Sequence, residues 1–146
     1  MTLSRIYIPL NAAGLRSLDT DRTIAGAPLR AHAVTKAMRA SAPTAAQDEW
    51  EYAALNDAAQ SSVWLLTSGE RRRIVAAADV DADLVGIVDS VVSGESRVDS
   101  AVLILDSVAL KRIASFHVDA ADAAEDDELL WYDVTELPVI LAFLSA

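Results

Sequence analysis

The chain has no cysteine, which removes disulfides, thiolate nucleophiles and cysteine-ligated metals from consideration together. It has only two histidines, His32 and His117, so any imidazole chemistry must be built around a single ring unless the fold joins them. Bases are scarce beside acids, 12 against 22, for a net charge of −10. A surface of that sign repels phosphate backbones and anionic lipid, which argues against direct nucleic-acid or membrane partners; simple solubility is the default reading of the charge, with a basic protein as the partner it would suit. Long apolar runs are missing as well. The greasiest stretch, Leu137 to Leu144, is far shorter than the roughly 20 residues a membrane helix needs. Met1 to Leu10 has no apolar core of signal-peptide length, so the expected location is the cytoplasm. No serine sits in a Gly-x-Ser-x-Gly elbow and no glycine-rich phosphate cradle is present.

What is present is small apolar mass. Hydrophobic residues make up 53% of the chain while aromatics make up 5%, so the core has to be built largely from alanine and aliphatics. A length of 146 residues suits one domain, 1–146, that buries roughly two thirds of its unfolded surface. Arg5-Ile6-Tyr7-Ile8 alternates as a strand up to Pro9, Asn11 caps a helix through Leu18, and 29–35 forms a second strand. A helical turn at 36–40 precedes the long helix. Further strand signals lie at 72–78, 98–105, 112–118 and 129–134, and Asp79 to Val92 reads either as a helical turn capped by Asp81 or as a strand over Leu84 to Val92 interrupted by Gly86. Ser93-Gly94-Glu95-Ser96 is turn chemistry. Thr135 is placed to cap a last helix reaching Leu144, with Pro138 in its first turn. This order predicts an α+β domain whose mixed or largely antiparallel sheet is covered by the long helix.

That helix, expected over 44–69, carries most of the information. Thr44 and Gln47 have capping-box spacing, and Ser68-Gly69 is a stop. Tyr52, Leu55, Ala59, Ser62 and Leu66 form one stripe, assigned to the sheet. Trp50, Ala54, Asp57, Ser61 and Trp64 form a second on roughly the opposite side, leaving only Glu49, Asn56, Gln60 and Thr67 clearly wet. A helix apolar on two sides is either covered by other segments or shared with a second chain. Trp50, Trp64 and Trp131 are therefore the interface candidates, and a homo-oligomer is the expected assembly.

Chemical motifs are few. Asp79, Asp81 and Asp83 have the opening spacing of a calcium loop, but Leu84 and Ser90 stand where its glycine and bidentate glutamate belong. His117 and Asp119 share a strand face, with Asp122 close behind, a donor set that zinc, iron or manganese accepts. These three residues define a possible ligand or metal site, for which no cofactor is assigned. Asp119 to Glu128 carries six carboxylates and no base, either a solvated loop or a docking surface for a basic partner. Arg71-Arg72-Arg73 is the only basic cluster, suited to an anion or to the end of a helix.

Six segments carry a resemblance across nearly the whole chain. They are Arg5-Ile6-Tyr7-Ile8-Pro9-Leu10, 27–35, Glu51-Tyr52-Ala53-Ala54-Leu55, 73–80, His117-Val118-Asp119 and Leu129-Leu130-Trp131-Tyr132. In these the chain resembles a family of short, acidic, uncharacterised actinobacterial proteins. The resemblance implies a cytoplasmic protein and brings no catalytic or binding residue with it. Two functional expectations follow. The first is a non-enzymatic protein-interaction module that self-associates. The second is a small enzyme or ligand-binding protein with a pocket near His117, Asp119 and the 71–73 turn.

Overall fold

The computed structural model describes residues 2–26, 28–87 and 98–145. The Ser93–Ser96 turn and the second half of the ambiguous 84–92 segment lie outside them. Strand β1 (Leu3–Leu10) points Ile6, Ile8 and Leu10 to one face and Tyr7 to the other. It pairs antiparallel with β3 (Leu29–Ala33) on one side and β4 (Ile74–Asp81) on the other. In β1 against β4, Ile6 meets Ala78, Ile8 meets Ala76 and Tyr7 meets Ala77. Alanine opposite each large side chain fits a central strand buried on both faces, where helices must approach closely.

Around this centre β5 (Val85–Ile87), β6 (Ala101–Ile104), β8 (Ile113–Val118) and β9 (Leu130–Asp133) complete a seven-stranded sheet of order β5-β6-β3-β1-β4-β8-β9. Every pairing in it is antiparallel. A short ladder of β2 (Thr23–Ile24) and β7 (Val108–Ala109) lies apart. The architecture is α+β. On one sheet face, Leu15 and Leu18 of α1 (Ala12–Asp21) and Leu137 and Ile140 of α4 (Leu137–Leu144) close the larger core with Ile6, Ile8 and Phe116. Asn11 caps α1 as expected, its side chain accepting from the Gly14 N–H, and Arg22 ends it in the left-handed region. Thr135 does not cap α4: its N-cap is Glu136, without a side-chain bond, and the capping residue is Asp133, at the start of the 3-10 turn Val134–Glu136 that leads into the helix. Asp133 accepts from the Thr135 N–H, and Glu136 reaches back to complete the box.

The other face belongs to α3 (Gln47–Val63), which follows the short α2 (Lys36–Ser41). The helix is shorter than the 44–69 expected. Ala46 is its N-cap without a side-chain bond, and Gln47 donates instead to Glu51. Asp48 and Glu49 favour the first turn through the helix dipole. The expected division into two stripes is also corrected. Ala54, Ala58, Ala59 and Ser62 are the buried seam, packed with Tyr7, Val75 and Ala77, while Trp50 and Leu55 flank it. Tyr52 is 49% exposed, and Leu66 lies beyond the helix. The seam follows the smallest side chains because they let the helix sit closest to the sheet. So Ala54, assigned to the far stripe, faces the sheet, and α1 and α4 lie across the sheet from it.

Candidate functional site

The sheet edge at β9 gathers most of the residues the sequence nominated. Pairing with β8 sets Trp131 beside His117 and Tyr132 beside Phe116. Tyr132 turns inward onto α4, its ring 5.7 Å from that of Phe143. Trp131 is 62% exposed and Leu130 also stands out from the strand. Before β9, the chain from 120 to 129 runs as tight turns, the Ala124 N–H donating to Asp127. Asp122, Glu125, Asp126, Asp127 and Glu128 are all exposed there. Tyr52 of α3 donates to Glu128 across 3.1 Å, tying the acidic segment to the helix.

The proposed trio of His117, Asp119 and Asp122 does not converge. Half-buried His117 bonds through Nε2 to Ser115 Oγ at 3.0 Å, and burial, helped by Arg5, holds its pKa below the ordinary value. Asp119 is buried and already committed: it accepts from Arg73 Nε and Nη2, each at 2.8 Å, and from the Arg73 N–H at 2.9 Å. Arg73 Nη2 also donates to the Asp127 carbonyl, so this pair fastens the acidic segment to the start of β4. Asp122 points into solvent. Among the described residues no three histidines and carboxylates are grouped to hold a metal.

The tryptophans divide. Trp50 is engaged within its own chain, Nε1 donating to the Ala42 carbonyl and Arg39 lying 5.6 Å over the ring. Trp64 sits at the C-cap of α3 and is 78% exposed. Of the three, Trp131 is the one on a strand that is terminal in the sheet among the described residues.

Sequence reasoning did not find the buried polar chain beneath α3. His32 Nδ1 is 2.8 Å from Ser100 Oγ and Nε2 is 2.7 Å from Ser61 Oγ, while Ser100 Oγ donates to Asp57 at 2.7 Å. Because the Ser100 proton goes to Asp57, His32 must donate from Nδ1 and accept the Ser61 proton at Nε2. Burial depresses the His32 pKa, partly offset by Asp57, which keeps the ring in this neutral form. Asp57 and Ser61 are one helical turn apart, the one sign of a shared polar partner that the sequence held. Arg5 and Asp79 form an exposed bidentate pair on the same sheet face.

A family of unknown function (DUF6912) matches residues 4–141. The chain belongs to that family. No curated protein and no solved structure matches it. Among the described residues no helix is long and apolar enough to cross a membrane.

Proposed function

We propose that this member of the family is a protein-interaction module whose docking surface is the free edge of β9 with the acidic segment before it. The observation that carries the reading is the placement of Trp131 and Leu130, exposed on a terminal strand, directly after five exposed carboxylates. A terminal strand offers unpaired backbone groups to a second extended chain. A large indole supplies an anchor, and the carboxylates select a basic partner and speed its approach.

Charge favours a basic segment over a second copy on this edge. Two β9 strands paired about a twofold axis would set residues 125–128 of one copy against Asp133 and Glu136 of the other, carboxylate facing carboxylate. The α3 faces offered for self-association give less support, since Trp50 is folded onto its own chain and the outer side of the helix is polar. Isotope-edited NMR with an extended peptide of alternating lysine and valine tests the reading. Resonances of residues 125–133 should shift, more weakly as salt is added, and Trp131→Ala should reduce the affinity. Unmoved β9 resonances, or a salt-insensitive dimer seen by sedimentation with β9 at its interface, would count against it.

A further inference from the structure

The 69–74 segment, α1, the end of α4 and Ala121 of the segment before β9 line a cavity of about 280 Å³ that presents Arg16, Arg71, Arg72 and Glu70. Its charge is unlike the rest of the molecule. Three guanidinium groups against one carboxylate make a positive site in a chain of net charge −10. Among the described residues none of these arginines has a carboxylate within ion-pair distance, whereas Arg5 and Arg73 are both paired. Arg72 is held by stacking, its guanidinium carbon 4.7 Å from the Phe143 ring centroid, an arrangement that fixes the plane and leaves the N–H edges for an acceptor. Arg16 lies one turn along α1 from Ala12, which lines the same cavity, so the positive end of that helix adds to the field.

Glu70 supplies the second half of the argument. Its Oε1 accepts from Thr67 at 2.9 Å, but Oε2 is sealed from solvent without any hydrogen-bond partner. A buried acceptor left bare is costly unless something donates to it. The larger cavity at Arg5, Arg39, Glu51 and Asp79 has no such imbalance, since Arg5 is bonded to Asp79 and Arg39 lies on Trp50.

We infer that the Arg16/Arg71/Arg72 cavity binds a small oxyanion that carries a hydrogen-bond donor of its own. The guanidinium groups hold the anionic oxygens, and rotation of the Glu70 carboxylate, which lines the cavity, brings its otherwise unpartnered Oε2 to the donor. Protonated inorganic phosphate has both features, and sulfate of nearly the same shape and charge lacks the donor at neutral pH. The site is therefore selective for phosphate over sulfate, and this selectivity resides in Glu70. The inference does not rest on docking at β9, although Ala121 of the segment before that strand lines the cavity.

The test is calorimetric titration of the intact protein with inorganic phosphate and with sulfate at matched ionic strength and pH 7. Phosphate should bind at least tenfold more tightly than sulfate. Glu70→Gln should bring the two affinities within about threefold by placing a donor where the acceptor stood. Arg16→Gln with Arg72→Gln should weaken phosphate at least tenfold while the far-ultraviolet spectrum and the β9 peptide response stay as in the parent. Equal binding of both anions by the parent, no heat with either, or phosphate affinity unchanged in the double variant would each overturn the inference.

Discussion

Ser62 shows how much one small polar side chain does here. Fully buried on α3, its hydroxyl donates to the Leu10 carbonyl at 2.6 Å and accepts from the Ile74 N–H at 3.0 Å. It thereby joins the helix to the ends of β1 and β4. Ser62→Ala strands two buried backbone groups and should cost about 1–3 kcal/mol, read as a lower urea midpoint at unchanged slope. The Arg73–Asp119 pair is of the same kind but charged, with side chains only 13% and 6% exposed. Asp119→Ala leaves Arg73 uncompensated and should cost near the lower end of about 3–5 kcal/mol, because the Arg73 side chain keeps partial contact with water. In the same variant, amide exchange over 120–129 should quicken as the acidic segment loses its anchor. His32 sets a pH dependence. Its folded pKa lies below the unfolded value near 6.5, so the unfolded chain takes up the proton first. Stability is then full above that value and declines as pH falls through it, by at most about 1.4 kcal/mol per unit. Urea denaturation between pH 5 and 8 should show this slope reduced in His32→Asn, with the remainder coming from His117, whose pKa burial also holds low.

At the scale of elements, α3 is defined by what it lacks on its buried side. Ala54, Ala58 and Ala59 present almost no bulk to Tyr7, Val75 and Ala77, so the helix lies close to the sheet and cannot accept a larger residue there. Ala58→Leu should cost about 1–3 kcal/mol through overpacking, whereas Trp64→Ser, at an exposed C-cap, should stay within about 0.5 kcal/mol; one denaturation series compares the two. This contrast also explains what could be read in advance. The strands around Ile6, Val75 and Phe116 were legible because β-branched and aromatic residues alternate or cluster there, and Asn11 announced its helix by cap chemistry. The seam of α3 was not legible, since hydrophobic pattern weights tryptophan and tyrosine above alanine, and here close approach reversed that order. The possible His117, Asp119 and Asp122 set was nominated by spacing alone. The pairing of Asp119 with Arg73, 46 residues away, leaves no local trace, whereas the bond from His117 to Ser115 joins residues two apart on one strand face. The chain of His32, Ser100, Asp57 and Ser61 spans β3, α3 and the turn before β6, and only its pair on α3 has a local spacing.

On the scale of the whole molecule, charge and edge come together. A protein of net charge −10 concentrates exposed carboxylates in the turns before β9 and leaves Leu130 and Trp131 uncovered on the strand that follows. The opposite sign is gathered at the Arg16/Arg71/Arg72 cavity, which Ala121 of those turns helps to line. On the reading proposed above, the strand edge would take a basic chain and the cavity a small anion. The most direct measurement of the central claim is amide hydrogen exchange of β9 with and without the lysine–valine peptide. Slower exchange confined to 130–133 and lost in high salt is the predicted result. Unchanged exchange along β9 at saturating peptide would contradict the account.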